Sequence, residues 1–308
     1  MISRRMLLGG VAAAGLAGCT GGGDGTDASG PITVGLTYIP NVQFCAFYLG
    51  VEEGLFGDVD VKIRHHGEQE DLFGALLSDE EQVVFASSDE AVVANRGIVT
   101  VATAYQHYPV EVVFREPAES LEDLRGKTLG IPGRFGSSYY AALVALKEAG
   151  LTEDDVEIQE IGFTLVSGLA TDKVDAITGF ANNDVVQLES LGEEIWRVPI
   201  SKEPMLVGPG LMTTEAMADD PRVKAVVEGM LKAEQRAVED PEAALAATKK
   251  QVPALADEEQ LATAREVLKA TSELWRNSNG EISVDVDKSA MQRMEKFLDE
   301  AGLIGGQG

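Results

Sequence analysis

Short hydrophobic runs alternate along the chain with segments of helical periodicity, and this order predicts an α/β fold. In the first part we predict strands at residues 32–38, 59–64, 82–86 and 99–104. Helices are predicted at residues 42–53, at 71–78 and after the helix-start signature at 87–90. Because strands that alternate with helices pair mainly in parallel, we expect a mostly parallel sheet flanked by helices.

The same alternation recurs in the middle of the chain and then gives way to helices. Further strands are predicted at 128–131, 156–161 and 176–178, with one more between Pro199 and Pro204, and helices at 139–149 and 163–171. Residues 110–114 are expected to be a connecting strand, and 208–210 a return crossing. Helices follow at 222–239, 241–251, 257–275 and 287–301. We therefore expect two lobes, one of residues 31–113 plus 205–308 and one of residues 114–204, each a mostly parallel sheet flanked by helices.

The first 19 residues have the order of an export signal. A basic pair, Arg4 and Arg5, precedes an apolar run at 6–17 that is too short to span a bilayer. The run ends in Leu-Ala-Gly-Cys, which resembles a bacterial lipobox, so we expect lipid on Cys19 and a location at the outer face of the cytoplasmic membrane. The Arg pair also resembles a twin-arginine signal, which leaves the export route open. Residues 20–30 are predicted to be a flexible tether.

An acidic composition excludes several kinds of partner. The chain has 51 Asp and Glu against 25 Lys and Arg, a formal net charge of −26. We expect no nucleic-acid partner, because phosphates require a basic face. With Cys19 lipidated, Cys45 has no partner for a disulfide. His65, His66 and His107 lie in no close Cys/His cluster, so we predict no metal site.

Aromatic, amide and hydroxyl side chains follow five of the predicted strands. In a two-lobed α/β protein the ligand binds at the carboxyl ends of the strands, in the cleft. The candidate ligand contacts are Tyr38, Pro40, Asn41, Ser88, Glu90, Tyr105, Gln106, Tyr108, Phe135, Ser137, Ser138, Tyr139, Phe180, Asn182 and Asn183. Aromatic faces stack on a planar ring, and amides and hydroxyls bond to its edges. This set suits a neutral aromatic heterocycle, and we predict no catalytic residue and no cofactor.

Several of these residues have structural alternatives. Tyr38 also fits a core position, and Asn41 a turn cap. Glu90 favours a helix start through the helix dipole. Ser137 and Ser138 either cap a helix or present backbone N–H groups to an anion.

The beginning of the body of the chain resembles ABC-transporter substrate-binding proteins of the thiamine-pyrimidine-precursor type. The resemblance rests on the Gly-Leu-Thr-Tyr-Ile-Pro-Asn sequence at 35–41, on Phe44, Phe47 and Tyr48, and on Glu-Glu-Gly-Leu-Phe at 52–56. Residues 121–131 resemble the entry to that family's second domain, and 179–183 its cleft-lining Gly-aromatic segment. The resemblance covers residues 31–275. It implies a two-lobed, hinge-linked periplasmic-binding-protein type II fold, and it adds Phe44 and Tyr48 to the candidate ligand contacts.

A riboflavin-binding branch of that family is the more specific match. The segments at 38–41, 105–109 and 181–183 are similar to that branch. The resemblance implies an extracytoplasmic receptor that captures a thiamine pyrimidine precursor or a riboflavin-like vitamin and delivers it to a permease with its cytoplasmic ATPase. We expect a monomer that closes about hinges at 110–115 and 206–212.

Two alternatives share the fold. A sulfonate, nitrate or taurine receptor requires basic residues around the anion, and Arg134 near Ser137 is the candidate for that role. An enzyme of pyrimidine biosynthesis is the other; related fungal enzymes carry a Cys-rich loop and a consumed His. This chain has no Cys cluster, and His107 is expected at the surface.

Overall fold

The computed structural model describes residues 30–67, 70–202 and 205–304; the predicted signal peptide, Cys19 and residues 20–29 of the predicted tether lie outside these ranges. The described residues form two five-stranded sheets. The strands of the first are β1 (Ile32–Leu36), β2 (Val61–His65), β3 (Val83–Ser87), β4 (Ile98–Thr103) and β10 (Pro209–Thr214). The strands of the second are β5 (Val110–Phe114), β6 (Thr128–Ile131), β7 (Glu157–Glu160), β8 (Ala176–Phe180) and β9 (Trp196–Pro199).

Both sheets are mostly parallel, as the sequence predicts. The first has the strand order β2-β1-β3-β10-β4, and only β10 runs against its neighbours. The second has the order β7-β6-β8-β5-β9, and only β5 runs against its neighbours. The carboxyl ends of the parallel strands therefore lie together at one edge of each sheet, which is where a cleft between the sheets is lined.

Helices cover the sheets and make up most of the C-terminal part. They are α1 (Cys45–Glu53), α2 (Gly74–Leu77), α3 (Ser88–Ala94), α4 (Gly136–Glu148), α5 (Leu165–Ala170), α6 (Asp184–Ser190), α7 (Pro221–Glu239), α8 (Pro241–Gln251), α9 (Glu258–Leu274) and α10 (Lys288–Glu300). Within the described ranges, no helix combines the length and the apolar character needed to cross a membrane.

Local sequence explains where the helices begin and end. Ser87 and Glu90 form a capping box that starts α3. Asp220 caps α7, and Pro221 occupies its first turn, where no backbone N–H is needed. Gly54 ends α1 in the left-handed conformation, with φ of 68°. These signals lie within the element itself, so they are readable in the sequence.

Three predicted elements differ from the structure. The expected connecting strand at 110–114 is an inner strand of the second sheet, because it pairs with both β8 and β9. The strand expected between Pro199 and Pro204 is wrong, since the strand ends at Pro199. The expected return crossing at 208–210 instead begins β10, which Pro209 can open because a first residue need not donate to the ladder.

Different C-terminal helices pack against the two sheets. The apolar face of α10, with Met294, Phe297 and Leu298, packs into the core of the second sheet. The helices α7, α8 and α9 pack into the core of the first sheet. The division into lobes at residues 113 and 204 remains a proposal; the sheets place β5 and α10 with the second unit, outside the expected ranges 114–204.

Candidate functional site

A cleft of about 940 Å³ lies between the two sheets and is lined by residues from both. Ligand pockets have volumes of about 300–1,000 Å³, so this one accommodates a molecule of two or three fused rings with a side chain. Nine of the predicted contacts line it: Tyr38, Phe44, Glu90, Tyr105, Phe135, Ser137, Ser138, Phe180 and Asn183.

Aromatic rings from both lobes form the apolar part of the cleft. Tyr38, after β1, meets Phe163, after β7, edge to face with 4.9 Å between ring centroids. Phe85 on β3 makes similar contacts with Phe44 at 5.8 Å and Tyr105 at 6.1 Å. Phe135 precedes α4 and is 54% exposed. A planar ligand therefore has ring faces available on either side of the cleft.

Eight predicted contacts lie outside the lining: Pro40, Asn41, Tyr48, Ser88, Gln106, Tyr108, Tyr139 and Asn182. Most of their side-chain hydrogen-bonding groups have protein partners, although Oδ1 of Asn182 has none among the described residues. The hydroxyl of Tyr48 lies 3.0 Å from Nε2 of His65, whose Nδ1 donates to the carbonyl of Tyr38. The side chain of Asn41 caps the short helix Val42–Phe44. Its Nδ2 donates to Oδ1 of Asn183 at 3.2 Å. These two residues therefore support lining residues.

The other residues outside the lining bond elsewhere in the protein. Oγ of Ser88 accepts from Thr100 at 3.1 Å, and Gln106 donates to the carbonyls of Thr103 and Asp285. The hydroxyl of Tyr139 donates to Glu153 at 3.0 Å. Pro40 is exposed. Direct ligand contact by any of these residues stays a prediction.

Two carboxylates of α3 lie against the N-terminus of α4 and join the two lobes. Oδ1 of Asp89 accepts from Oγ of Ser137 at 3.0 Å, and Oδ2 accepts from the hydroxyl of Tyr108 at 3.1 Å. The carboxylate of Glu90 accepts from the backbone N–H of Ser87 at 2.9 Å, and its Oε1 lies against the first turn of α4, 2.8 Å from where a Cβ on Gly136 would be. Burial raises the pKa values of both carboxyl groups, and the charge of Asp89 raises that of Glu90 further. The predicted anion site at Ser137 therefore already faces the protein's own carboxylates.

Asn182 connects the second lobe to the first. It follows β8, is 1% exposed, and its Nδ2 donates to Oγ1 of Thr271 on α9 at 2.9 Å. The same Nδ2 lies 3.4 Å from the hydroxyl of Tyr105. The predicted ligand contact is thus a buried connection between lobes.

The charged groups of the lining are mostly acidic. The lining carboxylates are Glu70, Asp71, Glu90, Glu160 and Asp184. Asp184 accepts from the backbone N–H of Phe180 at 2.8 Å, and burial raises its pKa to about 6. Among the described lining residues, Arg96 is the single Lys or Arg. Its Nη1 lies 3.0 Å from Oδ2 of Asp71. An anionic ligand therefore finds little positive charge here.

Sequence reasoning missed several lining residues. Phe163 lies in the loop just after β7, which ends at Glu160, so the rule that placed Tyr38 and Tyr105 at strand ends also identifies it. His66 follows β2 in the same way, and its Nε2 donates to the buried Glu81 at 2.9 Å. Phe85 lies inside a strand, where only the tertiary structure shows which face meets the cleft.

Comparison with known proteins identifies the family. The NMT1/THI5-like family matches residues 41–244. The riboflavin-binding protein RibY of Chloroflexus aurantiacus is 32% identical over 289 residues, which cover 89% of this chain and 81% of that protein. These matches confirm the resemblance to the thiamine-precursor type and to its riboflavin branch.

Solved structures agree on the fold. The alkanesulfonate-binding protein SsuA of Xanthomonas axonopodis pv. citri, bound to MOPS, has a TM-score of 0.67 at 14% identity over 89% of this chain and 94% of that chain. The periplasmic aliphatic sulphonate-binding protein SsuA of Escherichia coli has a TM-score of 0.68 at 13% identity over 90% and 94%. They confirm the predicted periplasmic-binding-protein type II fold, and with the sequence matches they show that the chain belongs to the NMT1/THI5-like family of substrate-binding proteins.

Proposed function

We propose that this protein is the extracytoplasmic receptor of an ABC importer and that it binds riboflavin in the cleft between its lobes. The observation that carries the proposal is the lining, which combines aromatic rings from both lobes with hydroxyl, amide and carboxylate groups. The isoalloxazine ring stacks on aromatic faces, and the hydroxyls of the ribityl chain donate to carboxylates. The similarity to a riboflavin-binding protein supports the same ligand.

A thiamine pyrimidine precursor is the smaller alternative within the family. It has one aromatic ring, and it occupies a smaller part of the 940 Å³ cleft than a three-ring flavin. Since burial of ligand surface contributes most of the affinity of such pockets, the larger ligand is favoured.

A sulfonate, nitrate or taurine ligand fits the charges less well. The predicted basic residue for it, Arg134, is ion-paired with Glu153, while Arg96 is paired with Asp71. The N-terminus of α4 faces Asp89 and Glu90. The likeness to SsuA proteins therefore supports the fold and not their ligands.

Delivery to a membrane partner is the role that the proposed lipid anchor serves. A lipid on Cys19 holds the receptor near its permease, with the tether predicted at residues 20–30 between the lipid and the folded body, and this anchor raises the effective concentration at the permease. We propose that the receptor acts as a monomer and hands the ligand to the permease, whose cytoplasmic ATPase drives import. In this role the protein catalyses no reaction.

Titration of flavin fluorescence tests the ligand. We expect the fluorescence of riboflavin to be quenched on binding and the melting temperature of the protein to rise with ligand concentration, because the ligand binds the folded state alone. Hydroxymethylpyrimidine and taurine are titrated in parallel and followed by the melting temperature. A rise with taurine and none with riboflavin would contradict the proposal.

A further inference from the structure

We propose that the two carboxylates at the start of α3, on Asp89 and Glu90, make the cleft select an uncharged flavin over its phosphate ester. The inference rests on the proposed function, since it assumes a flavin ligand, and it specifies which flavin. It concerns riboflavin and FMN, which share the ring and the ribityl chain and differ by the terminal phosphate.

The positions of the two carboxylates are fixed by several hydrogen bonds. Asp89 has no exposed surface and accepts from the side chain of Ser137 and the hydroxyl of Tyr108. Glu90 lines the cleft and accepts from the backbone of Ser87. Because these donors come from β3, α4 and the segment after β4, the carboxylates cannot swing away without breaking these hydrogen bonds.

These carboxylates occupy the position where an anion would otherwise bind. The α4 helix spans 13 residues, and its free N–H groups favour negative charge at its N-terminus. Glu90 lies against that first turn, since a Cβ added to Gly136 would lie 2.8 Å from Oε1 of Glu90. Burial raises the pKa values of both groups, so they carry their full charge at alkaline pH, and there the favourable electrostatic position goes to the protein's own charge.

The rest of the lining offers no unpaired Lys or Arg among the described residues, because Arg96 is paired with Asp71. Two further lining carboxylates, Glu70 and Glu160, are paired with Arg64 and Arg134, so the repulsion comes chiefly from Asp89 and Glu90. A phosphate monoester carries a charge of about −1.5 to −2 at pH 7. Charge repulsion is stronger in a partly buried cleft than in water, so the phosphate weakens binding. The ribityl hydroxyls, in contrast, donate to these same carboxylates.

Comparison of the affinities for the two flavins tests the inference. Riboflavin and FMN are titrated separately against the purified protein at one ionic strength and at about pH 9, where both carboxyl groups are ionised despite their raised pKa values, and fluorescence quenching gives both Kd values. We expect FMN to bind at least about 100-fold more weakly than riboflavin. In Glu90→Gln, which keeps a side-chain oxygen for the N–H group of Ser87, we expect the ratio of the two Kd values to fall at least about tenfold.

Two controls test whether the discrimination comes from the charge of the phosphate, rather than from the size of the ligand or from the overall charge of the protein. Riboflavin 5′-acetate lengthens the ribityl chain without adding charge, and we expect it to bind within about tenfold of riboflavin, since only the phosphate meets charge repulsion. Glu157→Gln removes an exposed carboxylate of β7 outside the lining, and we expect an unchanged ratio, because water screens exposed charges.

The outcomes distinguish this inference from the proposed function. Equal binding of riboflavin and FMN, or equal rejection of FMN and the acetate ester, overturns the inference and leaves riboflavin as the ligand. Binding of neither flavin overturns the proposed function itself. If Glu90→Gln does not fold, the three Kd values of the unaltered protein still decide the inference.

Discussion

In the proposed function, single aromatic side chains contribute the contacts that hold a planar ligand in this cleft. Phe163 is half-buried, extends from the second lobe and meets Tyr38 of the first at 4.9 Å between ring centroids. Because it lies in a loop after β7 and outside the four hydrophobic core clusters, it is available to the ligand without supporting the fold.

Replacing Phe163 with Ala separates binding from stability. An aromatic pair contributes about 0.5–1.5 kcal/mol beyond the area it buries, so with the lost contact area we expect riboflavin affinity to fall about tenfold or more. We expect the melting temperature without ligand to change little. Leu191→Ala, which truncates a side chain that is 63% exposed and outside the lining, serves as the control. Unchanged affinity in Phe163→Ala would contradict this role.

At the scale of an element, α7 shows an ionisable group on an apolar helix face. Its buried face includes Val226, Met230 and Ala233, and Glu234 lies beside them with 1% exposure. Oε2 of Glu234 has no hydrogen-bond partner among the described residues. Burial raises its pKa well above the usual range, so the folded protein holds a proton that the unfolded chain releases.

Stability is therefore expected to depend on pH through Glu234. As pH rises from about 4.5 toward the raised pKa, the unfolded state loses its proton first, and the free energy of unfolding falls by up to about 1.4 kcal/mol per pH unit. Glu234→Gln removes this loss. We expect the melting temperature of the variant, relative to the unaltered protein, to increase between about pH 5 and pH 8.

The matched control lies on the same helix. Glu228 has a side chain that is 72% exposed, and Glu228→Gln is expected to shift the melting temperature equally at both pH values, since water solvates its charge in both states. A difference in melting temperature between Glu234→Gln and the unaltered protein that stays constant with pH would show that Glu234 is not protonated in the folded state.

At the scale of the whole molecule, buried polar contacts join the two lobes on either side of the cleft. Asn182 of the second lobe bonds to Thr271 of the first, while Ser137 of the second bonds to Asp89 of the first. Such contacts define one relative position of the lobes.

Removing the Asn182 contact is expected to weaken both folding and binding. Asn182→Ala leaves the hydroxyls of Thr271 and Tyr105 without their amide partner, so we expect the free energy of unfolding to fall by about 1–3 kcal/mol. Denaturant unfolding measures this change, and flavin titration shows whether affinity falls too. Asn279→Ala, at an exposed site, is the control. Full stability of Asn182→Ala would show that the lobes are held together by other contacts.

Much of the architecture could be predicted because the signals that begin and end its helices and strands are local in the sequence. The capping box at Ser87 and Glu90, Pro221 in the first turn of α7 and the β-branched run of β1 each place an element within a few residues. Strand ends also identified eight residues of the lining, because the carboxyl ends of parallel strands meet at one edge, and the family resemblance added Phe44. Element order and the general position of the cleft therefore follow from sequence alone.

Only the tertiary structure decided how the elements combine. The pattern of β5 and β10 does not reveal that each pairs antiparallel within its sheet, since direction depends on neighbours distant in the chain. The sequence also does not reveal that Asn182 is buried against Thr271, or that Asp89 and Glu90 lie at the N-terminus of α4. Residue type determines which bonds a side chain makes, whereas long-range packing determines whether its partner is a ligand or the protein itself.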